Sequence, residues 1–101
     1  MKNRLVMTAL LAAAPLAAQS QTPAPTGRDL AAACAICHGT NGVSAGITVT
    51  LAGQPKEALE RSIKELRDGT RAATIMHQIG KGYSDAQVDA LAAFFAAQKS
   101  R

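Results

Sequence analysis

Residues 34–42 read CAICHGTNG and hold the only two cysteines of a 101-residue chain, with His38 directly behind the second. A domain of the size this chain allows has little core to spare, and small domains commonly carry a staple. The unusual residues available for one are Cys34, Cys37, His38, Met76 and His77. The rest of the chain has to fold around whatever these residues hold.

The N-terminus is expected to stand apart from that domain. Lys2 and Arg4 precede an uncharged apolar run from Leu5 to Ala18, followed by small and polar residues. This is the pattern of a secretory signal peptide over residues 1–20, cut after Ala18 or Ser20. The run is too short, and too broken by Pro15, for the roughly 20 apolar residues of a spanning helix, so no stable membrane insertion of the mature chain is expected. Taking Lys2 and Arg4 from the eleven basic residues leaves nine against seven acidic ones, so part of the basic balance is an export signal. Charges cluster in 56–68, where Glu57 with Arg61 and Glu60 with Lys64 have the i,i+4 spacing of a solvated helix face. One Tyr, two Phe and no Trp leave no basic and aromatic stripe, which excludes nucleic acid as the expected partner.

Residues 21–26, with Pro23 and Pro25, predict an extended tether, and 27–101 the folded domain. A short Ala-rich helix is expected from Gly27 to about Ala35, then a glycine-rich loop from Gly39 to Gly53. A second helix should open near Gln54-Pro55, carry Leu59, Ile63 and Leu66 on one face, and end at Asp68-Gly69. A short helical piece from Thr74 to Ile79 should be stopped by Gly80 and Gly82. The last helix begins at a Ser84/Gln87 capping box and buries Val88, Leu91 and Phe95. Period-2 alternation is confined to Ile47–Leu51. The fold class is therefore all-α.

CxxCH has a chemical reading. Two thiols can add across the two vinyl groups of a haem, and the following histidine then sits beneath the iron as an axial ligand. Export fits, because attachment takes place beyond the membrane. A thioredoxin-like CxxC would sit beside a βαβ pattern, which this chain lacks, and a plain disulfide leaves His38 unexplained. A zinc site of Cys34, Cys37, His38 and His77 has the right ligand types, but its histidine spacing is unlike the usual three to five residues. On the haem reading the opposite axial position falls to Met76, the only methionine left once Met1 and Met7 depart with the leader. His77 is the rival ligand, since neighbours on a helix point about 100° apart and only one can face the iron. The other reading of Met76 is a core gap-filler. Lys81 and Tyr83 could reach the haem propionates or a partner, or simply form a solvated turn.

CxxCHG near the start, LAGQP opening a helix, TIM followed by KGYSD, and a closing helix ending FFAAQK together resemble the small class I cytochromes c over nearly all of the mature chain. The run Thr74 to Asp85 is most similar to the cytochrome subunit of flavocytochrome c sulfide dehydrogenase. The resemblance implies three to four helices wrapped around one covalently attached haem c, with thioether bonds at Cys34 and Cys37 and axial ligands His38 and Met76. It also implies that Phe94 or Phe95 packs near Ala31, where the first and last helices cross. One departure stands out. Gly46-Ile-Thr-Val-Thr50 replaces the segment where relatives place a proline whose carbonyl orients the histidine, so another backbone carbonyl must hold His38 Nδ1.

The function so implied is single-electron transfer in the periplasm by an exported monohaem protein that is not itself an enzyme. The expected role is haem subunit of a flavoprotein sulfide dehydrogenase, with that flavoprotein or another redox protein as partner. The alternative is a freely diffusing periplasmic carrier serving a terminal oxidase or reductase. Displacement of Met76 by a small ligand, or a zinc-stabilised structural module, are the readings from other classes.

Overall fold

The computed structural model describes residues 12–13 and 23–100. The predicted leader, apart from residues 12 and 13, lies outside the described residues, as do its two cleavage points and the first two residues of the tether. Residues 23–26 are exposed and without regular structure.

Helix α1 (Gly27–Ala31) starts at a capping box that the sequence reading did not single out. Thr26 Oγ1 accepts from the Asp29 amide at 3.2 Å, and the Asp29 carboxylate accepts from the Thr26 amide at 2.9 Å. The chain stays helical beyond the expected end at Ala35, through a 3₁₀ turn (Ala32–Cys34) into α2 (Ala35–His38). Gly39, at φ 80°, then turns the backbone out of the helix. This places Cys34, Cys37 and His38 on one continuous helical stretch.

The loop that follows is fastened to the last helix. The amides of Leu51 and Ala52 both donate to the Gly42 carbonyl, at 2.8 and 3.1 Å, and the Gly53 amide donates to the Phe95 carbonyl at 2.9 Å. A Cβ on Gly42 would stand 2.6 Å from Phe95 Cδ1, so only glycine lets the loop lie on that ring. The alternating Ile47–Leu51 segment forms no strand.

Helix α3 (Lys56–Asp68) follows Pro55, which sits at the N-cap with extended backbone rather than inside the first turn; its carbonyl accepts from the Ala58 and Leu59 amides. Gly69, in the left-handed region, closes the helix. Helix α4 (Met76–Lys81) begins two residues later than expected and runs through Gly80, which does not stop it. Gly80 is buried where α4 meets α3, 3.5 Å from the Ile63 carbonyl for a hypothetical Cβ. A Cβ there would find only ordinary van der Waals contact with α3, and Gly82 supplies the C-cap. Helix α5 (Asp85–Ala96) starts at the expected Ser84/Gln87 capping box.

Helix α1 crosses α5, and α3 packs on both α4 and α5. Ala31, Leu59, Leu91, Ala92 and Phe95 form the buried cluster, with Leu30, Leu51, Ile63, Tyr83 and Phe94 against it. Phe95 is the fully buried ring, and Phe94 meets it edge to face at 5.4 Å. Truncating such a buried ring typically costs about 3–5 kcal/mol. The Arg67 guanidinium ties the α4–α5 corner to α3 by donating to the Tyr83 carbonyl at 3.2 Å and to Asp85 at 2.7 Å. The described residues are helical with no strands, so the all-α expectation holds.

Candidate functional site

Among the described residues His38 is the one buried polar side chain, 8% exposed. Its Nδ1 lies 2.8 Å from the Val49 carbonyl oxygen. A carbonyl can only accept, so Nδ1 carries the proton and the lone pair of the ring resides on Nε2. Val49 thus supplies the backbone carbonyl required by the missing proline. The loop that presents it is held by hydroxyls. The Ser44 Oγ accepts from the Gly46 and Thr48 amides at 3.1 and 3.3 Å, while Thr50 Oγ1 accepts from the Ser44 amide at 3.1 Å. Thr48 Oγ1 donates to the Cys37 carbonyl at 2.7 Å and stands 3.3 Å from His38 Nδ1.

Both cysteines are free thiols. Cys34 is half-buried against the core, and that burial pushes its thiol above the ordinary range, whereas Cys37 is exposed. Among the described residues no group of three or more His, Cys, Asp or Glu side chains is placed to hold a metal ion. The zinc set of Cys34, Cys37, His38 and His77 is therefore not assembled.

Met76 opens α4 directly after Ile75 and is half-buried. It belongs neither to the buried cluster nor to the side chains packed on it, which speaks against a gap-filling role. His77 is one step further round the helix, and its Nδ1 is buried with no hydrogen-bond partner among the described residues. Tyr83 is half-buried, with its hydroxyl donating to the Leu30 carbonyl at 3.4 Å, so it braces α1 against the α4–α5 corner; Lys81 is exposed.

A haem fits this donor set. Two unpaired thiols flank a helical turn, the following imidazole carries its lone pair on Nε2, and a thioether lies outside the core. The apolar surroundings agree. Ile36, Ile47, Val49, Ile75 and Ile79 are exposed, Ile36 and Ile47 to 88%. They fall on the segments that carry the cysteines, the carbonyl loop and Met76, and a large apolar group held by these segments would account for so much bare aliphatic surface. Sequence reasoning missed this set, because the exposure of an isolated isoleucine has no local signature; Ile36, caught between the two cysteines, was the available hint.

Comparison with known proteins agrees with the geometry. The cytochrome c family model matches residues 24–99. The chain is 32% identical over 69 residues to the cytochrome subunit of sulfide dehydrogenase from Chlorobaculum tepidum, covering 68% of this chain and 63% of that protein. It is 39% identical over 80 residues to cytochrome c-554(548) of Halomonas halodenitrificans, covering 75% of this chain and 96% of that protein. It is also 38% identical over 72 residues to a thiosulfate dehydrogenase electron acceptor of Thiomonas intermedia, there covering 33% of the relative. The match thus spans just under two thirds of the sulfide dehydrogenase subunit and nearly all of cytochrome c-554(548). The chain belongs to the cytochrome c family: an electron-transfer protein whose cofactor is covalently bound haem c, one for a domain of this size.

Proposed function

We propose that this cytochrome c is exported to the periplasm, attaches its single haem through Cys34 and Cys37, binds the iron with His38 and Met76, and serves as the haem subunit of a flavoprotein sulfide dehydrogenase. The observation that carries the site assignment is the hydrogen bond from His38 Nδ1 to the Val49 carbonyl. It holds the proton on Nδ1, turns the ring into one orientation and leaves Nε2 as the donor to a metal. Bound there, held by Cys34, Cys37, His38 and Met76, the haem would supply a one-electron Fe(III)/Fe(II) couple. The residues of this chain have the complementary tasks. Cys34 and Cys37 anchor the ring, Val49 orients His38, and Arg67 holds the far end of the Met76 segment through Tyr83 and Asp85.

On this reading the two thiols are consumed by the haem, so sulfide oxidation would belong to a second chain. No described helix is long and apolar enough to cross a membrane. A second reading, a freely diffusing carrier, draws support from the match to nearly the whole length of cytochrome c-554(548). The test is to export the chain with haem available, determine its denatured mass, and pass it with the flavoprotein of the same organism over a sizing column. The expected result is haem retained on the denatured chain and co-elution of the two proteins. A bare polypeptide mass refutes the site, and separate elution at micromolar concentration hands the partner question to the carrier reading.

A further inference from the structure

We propose that Thr48 is a positioning residue for His38, acting as a second acceptor for the Nδ1 proton and so setting the electron donation of the ring to the iron. The inference rests on the reading of His38 as an axial ligand.

Three distances carry it. The His38 Nδ1 proton points to the Val49 carbonyl at 2.8 Å, and Thr48 Oγ1 stands 3.3 Å from the same nitrogen. The Thr48 hydroxyl has one proton, and it is committed to the Cys37 carbonyl at 2.7 Å. Toward Nδ1 the oxygen can therefore only present a lone pair. The Nδ1–H bond is three-centred, with Val49 as the near acceptor and Thr48 as the far one. The arrangement joins Cys37, His38 and the loop through one side chain. The Thr48 amide is itself pinned by Ser44 Oγ, and the Ser44 amide by Thr50 Oγ1, so the hydroxyl is held in place from both sides. In a loop without proline this network takes over the task of fixing the carbonyl.

An acceptor on Nδ1–H gives the imidazole more anionic character and makes Nε2 a stronger donor, which favours the oxidised iron. Removing the Thr48 oxygen should weaken that donation and leave the proton less guarded. Thr48→Val keeps shape and deletes the hydroxyl, while Thr48→Ser keeps the hydroxyl. Both are read as covalent holoproteins by midpoint potential and by NMR exchange of the His38 Nδ1 proton. In Thr48→Val the equilibrium should shift toward the reduced form about threefold, ~30 mV by the one-electron Nernst slope, and proton exchange should quicken about fivefold. Thr48→Ser should restore both. If Thr48→Val gives no holoprotein, Thr48→Ala is compared with Thr48→Ser by the same two readouts. An unchanged potential and exchange rate in the hydroxyl-free variant, or failure of Thr48→Ser to rescue either readout, overturns the proposal. His38→Ala separates this from the underlying assignment: a low-spin haem spectrum preserved in that variant would overturn ligation by His38 itself.

Discussion

Gly27→Ala adds one methyl group at the crossing of α1 and α5, where two helices approach backbone to backbone. A Cβ there would overlap the Ala90 carbonyl oxygen, lie 2.9 Å from the Ala90 carbonyl carbon and 3.3 Å from Phe94 Cβ. The blocking atoms belong to the backbone of α5 and have no rotamer to move into, so the helices themselves must separate. Overpacking of this kind costs about 1–3 kcal/mol. Against it stands the greater helix propensity of alanine, at most ~1 kcal/mol and less in a first turn. Steric overlap wins, with a net loss of about 1.5 kcal/mol. For a domain of fewer than 100 residues that lowers Tm by roughly 6–12 °C. Thermal unfolding of the covalent holoprotein, followed in the far ultraviolet and at the haem band, measures it. A Tm within ~2 °C of the parent would show that α1 slides over α5 without cost, and would refute the packing argument.

Three further outcomes follow from the same geometry. Met76→Ala should abolish the weak sulfur-to-iron band at the red end of the oxidised spectrum and lower the potential, because thioether ligation raises it; an unchanged spectrum transfers the role to His77, which His77→Ala then tests. Gly80→Ala should be tolerated and add up to ~1 kcal/mol in urea unfolding, since its Cβ meets only ordinary 3.5–3.7 Å contacts inside α4; a loss of stability would mean that α3 and α4 are already in contact at their closest. The Arg67 guanidinium holds the Asp85 carboxyl below its usual value, so the pair stabilises the fold above the ordinary aspartate range and that contribution is lost as pH falls through the depressed folded value; Arg67→Gln should weaken the protein at neutral pH, with the difference from the parent closing below about pH 4, and a difference that persists at pH 2 would assign the effect to the Tyr83 carbonyl contact instead.

What was legible in the sequence was local chemistry. Ser84 and Gln87 satisfy amides within their own turn, Gly69 directly follows Asp68 at the end of α3, and CAICH carries its donor set in five residues. The unread parts depend on groups that have no letter of their own. The acceptor for His38 is a backbone carbonyl, which every residue possesses, so the sequence could require one without choosing Val49. Gly80 looked like a helix stop because glycine is poor in helices, yet the contact with α3 outweighs that preference. The stripe of Val88, Leu91 and Phe95 named Phe95 as the buried ring of α5, as it is, while the sequence left open whether Phe94 or Phe95 would meet α1 at the crossing, because both rings stand side by side in the chain. The capping box at Thr26 was overlooked because its N3 residue is Asp29 rather than Glu or Gln, though the shorter carboxylate reaches the same amide.

The two partner readings differ in the surface each would use, and charge separates them. A diffusing carrier gains speed from a field that extends beyond contact distance, whereas a resident subunit holds on through apolar burial around the haem edge. Much of the charge near α3 is paired at short range: Lys56 with Asp89 at 2.6 Å, Arg67 with Asp85 at 2.7 Å and Arg71 with Glu65 at 2.6 Å. Paired charges leave little field to steer by, and nine basic against seven acidic residues beyond Lys2 and Arg4 add little more. Bare aliphatic surface at Ile36 and Ile47 is by contrast substantial, and whatever the haem leaves uncovered is available for burial against a protein. Electron exchange with the flavoprotein should therefore change little between 50 and 500 mM salt, a range over which the Debye length falls from about 14 to 4 Å. A rate that drops tenfold or more over that range would place recognition in long-range electrostatics and decide for the carrier.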